Sequence, residues 1–350
     1  MNTVRSVLQT AVAISLAFLV AALFILFQGS SPFEVYRALY EYGLGSWFSF
    51  TSTLNASFPL ILTSLSASIA FSSAVVNLGQ HGQFLWGALV AAVTGVYLKL
   101  PSWFGTAFLA VLGGLAGAGW AALAAFFKRR YRMDEFISTL MLNFLAEYMT
   151  LYLATYPFLD PKAYVPSTRL IRREYFLGSF FNVNIAFFVA VFMVLLSWWF
   201  LWKTWRGYEA RMMGYNKLFA TVGGCDVGTD TSLILILTGF LSGLGGALLI
   251  LGGTQHRFMK GIGANFGWDG VMIAIMAENS VVQTFFYALF IGFLKNGAVG
   301  MEFETSVPSE FVMFLQAIIV LTLVGARSGF TSLSDWLRAR SELRRLMKQS

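Results

Sequence analysis

The sequence predicts an all-α, polytopic membrane helix bundle of about eight to ten transmembrane helices, arranged as an inverted repeat of two halves. Three observations predict it. Hydrophobic residues make up 57% of the chain and charged residues 12%, against roughly 45–50% and 25% in ordinary soluble domains. Apolar runs recur that are long enough to cross about 30 Å of hydrocarbon at 1.5 Å per residue. The pattern N-x-G-x-x-G occurs twice, at 77–82 and 265–270.

The first span is 7–27. Its apolar stretch is longer than a usual signal-peptide core and has no clear small-residue cleavage site, so it reads as a membrane helix. Further spans are expected at about 56–76, 83–98, 103–127, 136–156, 185–202, 232–252, 268–277, 281–298 and 311–325. The segment 268–277 is too short to cross alone, so it is either half-buried or part of a broken helix. Basic residues alternate with leucine over 338–348, which reads as a short amphipathic helix on the membrane surface.

The net charge of +7 is no nucleic-acid signature, because Lys and Arg fall mainly between spans, where they act as topology signals. With both termini cytoplasmic, fifteen basic residues lie inside and eight outside. The inside set includes Arg5, the cluster at 128–132, Lys203, Arg206, Arg211, Lys217 and Arg327. The outside set includes Arg169, Arg172 and Arg173. This topology places the first N-x-G-x-x-G at an inner turn and the second at an outer one, as an inverted repeat of about 56–202 and 232–325 requires. The connection 203–231 is then a cytoplasmic loop. The single Cys225 excludes an internal disulfide, and no Cys/His spacing suits a metal.

The chain carries no G-x-x-x-x-G-K-[ST] and no H-E-x-x-H, so neither P-loop nucleotide hydrolysis nor zincin chemistry is expected. Transport is the stronger class. In the fifth span Thr139, Asn143, Glu147 and Thr150 fall on one helix face. A carboxylate near the bilayer interior costs about 3 kcal/mol, so this face lines a water-filled path or hydrogen-bonds to other helices. Ser64, Ser68 and Ser72 form a second stripe, read as close helix packing. Gly113/Gly117 and Gly239/Gly243 are small-xxx-small packing pairs.

The two N-x-G-x-x-G segments break helices, and irregular backbone at membrane depth survives only inside protein or along a cavity. Asn77, Gln80, His81, Gln83, Asn265, Trp268 and Asp269 are therefore candidates for a solute route, unless both segments are solvated turns at the interface. In the connection, Tyr208, Met212, Tyr215, Phe219 and Val222 recur every three or four residues. Asn216 can cap a short helix there that Gly223-Gly224 ends. Such an apolar ridge either meets a protein partner or lies on lipid headgroups.

At this connection the sequence resembles a known family. The run Gly207-Tyr208-Glu209-Ala210-Arg211-Met212-Met213-Gly214-Tyr215-Asn216 is similar to the cytoplasmic coupling loop of bacterial ABC importer permeases of the branched-chain amino acid, ribose and nucleoside superfamily. Asp134-Glu135-Phe136-Ile137-Ser138-Thr139-Leu140-Met141-Leu142-Asn143 resembles the E-x-I-S-T-x-M-L-N signature of its nucleoside and simple-sugar branch. Asn77-Leu78-Gly79-Gln80-His81-Gly82-Gln83 resembles its F-N-I-G-x-x-G-Q segment, and Phe266-Gly267-Trp268-Asp269-Gly270 its Y-G-F-D-G. The resemblance covers about 56–330. Two departures stand out: Ser72-Ser73-Ala74-Val75 replaces a basic residue common before the first segment, and Lys217 replaces a proline common after the loop asparagine.

The resemblance implies an inner-membrane permease subunit, not an enzyme. It would work with ABC ATPase subunits, a second permease subunit of the same or a homologous kind, and an external solute-binding lipoprotein. ATP would be bound by the partner ATPase, leaving no cofactor in this chain, and no nucleic acid is involved. The ATPase would contact Gly207, Tyr208, Glu209, Ala210, Met212, Gly214, Tyr215, Asn216 and Phe219. The binding protein would dock on outer loops near 28–55, 157–184 and 253–268. A nucleoside-like solute is implied first, with riboflavin, a sugar or a branched-chain amino acid as alternatives. A reading from another class is an ion-coupled secondary transporter working through Glu147 and Asp269.

Overall fold

The computed structural model describes residues 2–263, 265–305, 307–323 and 325. Arg327 and the amphipathic segment expected at 338–348 lie outside the described residues. Two compact units divide the chain, one of residues 1–46 and 294–350 and one of residues 47–293.

The first unit holds α1 (Asn2–Phe27) and α2 (Pro32–Leu44), bent by 119° across the break between them. It also holds the end of α12 (Val281–Glu304) and a short apolar helix, α13 (Phe311–Leu323). Pro32 starts α2, at a position where its missing N–H leaves no intrahelical bond unmade. Tyr36 ties α2 to α1 by donating to the Phe18 carbonyl at 2.6 Å. Phe24 of α1 packs on Phe311 and Phe314 of α13. The segment expected as an outer loop at 28–55 is thus largely helical.

The second unit carries α3 (Trp47–Ser72), α4 (Gln80–Tyr97), α5 (Ser102–Tyr131), α6 (Glu135–Thr155), α7 (Ile185–Lys203), α8 (Trp205–Tyr215), α9 (Lys217–Val222), α10 (Val227–Gly252) and α11 (Phe266–Met276), followed by the start of α12. A two-residue hairpin, β1 (Ser179–Phe180) against β2 (Val183–Asn184), closes the loop before α7. The all-α expectation holds. The described helices that have the length and hydropathy of a span are fewer than the ten segments predicted. Among the described residues, six helices are long and apolar enough to cross a membrane, or seven if α1 and α2 form one span. The polar first turn of α4, with Gln80, His81 and Gln83, keeps it out of that set, while α11 and the described part of α13 are too short.

The core of this unit is a crossing of glycines. A Cβ on Gly117 of α5 would stand 2.6 Å from the Gly243 Cα of α10, and one on Gly243 would stand 2.6 Å from the Gly113 carbonyl. Gly87 of α4 presses on the same Gly243 backbone. The predicted small-residue pairs therefore face one another and let three helices meet backbone to backbone. The Ser64/Ser68/Ser72 stripe also packs: Ser68 shares a 2.6 Å hydrogen bond with Thr284 of α12, and Ser64 and Ser72 bond back to their own helix.

One end of the unit gathers the 157–184 and 253–263 loops. Tyr175 is buried there, its hydroxyl accepting from the Leu100 amide at 2.8 Å and donating to the Leu98 carbonyl at 2.9 Å. The Leu177 amide donates to Leu251 and the Thr168 amide to Phe258. The other end gathers the end of α3, the 128–135 turn and the 203–231 connection. Gly214 of α8 lies so close to the Ser72 carbonyl that no side chain fits between them.

Candidate functional site

Between these two ends, both N-x-G-x-x-G segments leave the helical path. After α3 the chain turns inward through 73–79, with Ala74 at φ 51°, and α4 then runs toward the Tyr175 end. From that end, the chain after α10 runs through 253–263 to Asn265, which precedes α11 as its N-cap residue at φ 69°. The two helix starts touch. A Cβ on Gly267 would stand 2.5 Å from the His81 nitrogen, and the rings of Phe84 and Phe266 lie 5.5 Å apart. This corrects the expected topology: the two segments are neighbours inside the bundle, not turns at opposite membrane faces. Solvated interfacial turns are likewise ruled out for the first segment, since Asn77 and Gln80 are fully buried. Hydropathy missed this because it counts a half-helix and its irregular lead-in as a span and a loop.

The first segment is held by a dense polar network. The Asn77 side chain accepts from the Gly79 amide at 2.8 Å and from Gln83 Nε2 at 3.1 Å, and donates to Thr238 of α10 at 3.0 Å. Gln80 donates to the Asn77 carbonyl at 2.8 Å. From α6, Thr139 accepts from the Leu78 amide at 3.1 Å. Asn143 accepts from the Gly82 amide at 2.8 Å and donates to the Leu78 carbonyl at 2.6 Å. These bonds satisfy backbone groups that no helix satisfies. Thr139 and Asn143 thus bind the backbone that leads into α4.

Glu147, on the same face, is exposed and lines a small cavity of about 120 Å³ together with His81, Thr150, Phe258 and Lys260. His81 and Glu147, far apart in sequence, are thus brought together, and Lys260 joins them without any signal in the pattern. The Gln80 Oε1 and His81 Nδ1 atoms are buried and have no hydrogen-bond partner among the described residues. Asp269 is 7% exposed in the first turn of α11, whereas Trp268 is 45% exposed.

The connection folds as the sequence pattern requires. Thr204 caps α8 by accepting from the Gly207 amide, and Asn216 caps α9 by accepting from the Phe219 amide at 3.1 Å. Gly223 then ends α9, with Gly224 at φ 91°. Tyr208, Tyr215, Leu218, Phe219 and Val222 are exposed, the last at 82%. Gly207, Ala210 and Met213 are buried against the bundle, Gly207 on the Phe200 carbonyl. Met212 and Glu209 are half-buried. Leu218 belongs to the ridge although its spacing falls outside the predicted stripe.

Charges clasp the connection in place. Arg206 Nη1 lies 2.7 Å from Asp230 Oδ1 at the start of α10 and 3.4 Å from Glu209. Arg211 donates to the Leu201 carbonyl at 3.0 Å and lies over the Trp202 ring. Beside Gly214, a cavity of about 500 Å³ is lined by Trp198, Trp202, Arg211, Tyr215, Glu278 and Asn279. Glu278 and Asn279 both take positive φ, 49° and 60°, in the turn between α11 and α12. Nothing in the sequence pattern marked that turn, nor the Arg206–Asp230 pair.

Long apolar helices around a broken-helix junction, with a polar connection clasped at one end, define a multi-span membrane permease subunit. The family described as branched-chain amino acid transport system / permease component matches residues 49–324, and the chain belongs to it. It is similar to a guanosine ABC transporter permease of Bacillus subtilis, 28% identical over 89% of this chain and 90% of that one. A nucleoside ABC transporter permease of Lactococcus lactis is 26% identical over 91% of each chain. A glucose ABC transporter permease of Haloferax volcanii is 28% identical over 84% of this chain and 80% of that one. No solved structure matches. The chain is thus a multi-pass inner-membrane transporter subunit, an ABC permease of the nucleoside and sugar type.

Proposed function

We propose that this permease passes a nucleoside-like solute, delivered by an external binding protein, using ATP hydrolysed by a cytoplasmic partner that docks on the 203–231 connection. The observation that carries the docking is the exposed ridge of Tyr208, Tyr215, Leu218, Phe219 and Val222, built on a connection whose other face is fastened to the bundle. Leaving five large apolar side chains in water is unfavourable by about 25 cal/mol for each Å² that a partner would cover. The basic cluster at 128–132 shares this end, and the positive-inside rule supports assigning it to the cytosol.

The solute route is assigned to the junction. Gln80 and His81 keep buried polar atoms unpartnered, Glu147 and Lys260 line the adjoining cavity, and Asn265, Trp268 and Asp269 start the facing half-helix. Opposed half-helices entered from the two ends are what inverted halves of about 56–202 and 232–325 would produce. A second permease subunit would complete the path. The guanosine and nucleoside transporters among the relatives favour a nucleoside, and the glucose transporter makes a sugar the second reading.

A thermal-shift screen of the cognate binding protein tests the solute. Stabilisation by guanosine or adenosine, with none by glucose, riboflavin or leucine, is the expected result. Stabilisation by glucose alone would transfer the assignment to the sugar, and by leucine alone would overturn the nucleoside branch.

A further inference from the structure

The connection is tied to the broken-helix junction through one helix face. Glu135, Thr139 and Asn143 follow one another at intervals of four along the first turns of α6, so their side chains share a face. At its N-terminal end, the Glu135 carboxylate is 6% exposed and lies between two lysines: Lys128 from the end of α5, and Lys217, whose Nζ is 3.8 Å away at the first position of α9. One turn deeper, Thr139 donates to the Glu135 carbonyl at 2.7 Å and accepts from the Leu78 amide. A further turn in, Asn143 holds both the Leu78 carbonyl and the Gly82 amide. The next residue back from Gly82 is His81, against which Gly267 of α11 rests.

We propose that this face of α6 is the strut through which movement of α9 reaches the junction, with Lys217, Glu135 and Thr139 as positioning residues for transport. A helix of regular hydrogen bonds is stiff along its axis, whereas the 73–79 run it supports has no regular ladder and yields instead. The α8 side gives the same run a second anchor, because Gly214 bears on the Ser72 carbonyl just ahead of it. A push on the exposed ridge is thus delivered to both ends of the segment that starts α4. Lys217 is the residue where this chain departs from the proline common after the loop asparagine, and its charge reaches Glu135 as a proline could not.

The inference rests on the docking proposed above, and the experiment separates the two. The full permease is co-purified with its ATPase, and hydrolysis is measured in proteoliposomes with and without loaded binding protein. Glu135→Gln, which leaves the 203–231 connection unaltered, is expected to retain the ATPase and its basal hydrolysis and to lose stimulation by loaded binding protein about fivefold. Thr139→Val is expected to lose stimulation to a similar degree, and Thr139→Ser, which keeps the hydroxyl, to restore it. Full stimulation in either Glu135→Gln or Thr139→Val would overturn the strut, as would an equal loss in Thr139→Val and Thr139→Ser. Failure of the unmodified permease to retain the ATPase would overturn the docking, and the strut with it.

Discussion

Gly267 of α11 rests on the backbone of His81 in α4, with room for a hydrogen and nothing larger: an added Cβ would stand 2.5 Å from the His81 nitrogen and 2.6 Å from its Cα. The two half-helices therefore meet at a backbone contact, and the irregular lead-in at 73–79 is largely buried, as membrane depth demands, while Thr254, Gln255, Lys260 and Gly261 of the other lead-in are exposed. Gly267→Ala is expected to destabilise the purified permease by about 1–3 kcal/mol, because backbone on the facing side cannot swing away. A fall in the thermal unfolding midpoint in detergent checks it. An unchanged midpoint would mean that the two segments do not touch.

The glycine crossing of α5 and α10 makes a paired prediction. Gly117 faces Gly243 backbone, while Gly119, on the same helix, has nothing within 4 Å of a built Cβ. Gly117→Ala should lower the unfolding midpoint. Gly119→Ala should raise it or leave it, since alanine favours a helix by about 0.8–1.0 kcal/mol over glycine. The same substitution two residues apart thus reports whether packing or propensity governs the position.

How far the sequence reached can be judged from particular residues. Helix type and approximate position were legible wherever apolar length carried them, as in α7 and α10. The Asn216 cap and the Gly223–Gly224 stop were legible because capping is local chemistry, read within a few residues. The facing of Gly117 and Gly243 was legible in kind, since small residues at that spacing have one common use. The meeting of Gly267 with His81 was not. A hydropathy window gives each segment a length and a side but no depth, and depth is what joins these two. The Thr139 and Asn143 stripe was legible from its spacing, whereas the amides it serves were not, because they lie in a distant segment. Arg206 and Asp230 left no trace, because a pair between two helix starts has no fixed spacing. Lys217 was visible only as a departure from the family pattern, and its role came from the carboxylate it faces.

Arg206 and Asp230 give a third prediction. The Asp230 side chain is 3% exposed, and one of its oxygens has no partner among the described residues besides the guanidinium on the other. Arg206→Ala leaves that charge uncompensated and should cost about 1–3 kcal/mol, reduced from a fully buried pair because Arg206 is a third exposed. Adding Asp230→Asn to Arg206→Ala should recover most of the loss. A double-mutant cycle on unfolding midpoints measures the coupling, and additive losses would remove the clasp from the account.

A fourth prediction separates shape from docking on the connection. Gly214→Val drives a side chain into the Ser72 carbonyl and should lower the unfolding midpoint whether or not a partner is present. Leu218→Ser changes a residue that is 75% exposed and should leave the midpoint within about 0.5 kcal/mol. Its effect belongs to ATPase retention, which is expected to weaken.

The central claim is that the exposed ridge on α8 and α9 is gripped from the cytosol by a separate motor. Site-directed cross-linking tests it most directly: Cys225 is replaced by serine, leaving no native thiol, and a single cysteine is placed at Leu218. The account predicts that this cysteine reacts with an impermeant maleimide only when the cytosolic face is exposed, and that it cross-links to the ATPase when the two are expressed together. Labelling from the outside of intact cells, or solute uptake by the purified permease with no ATPase present, would contradict it.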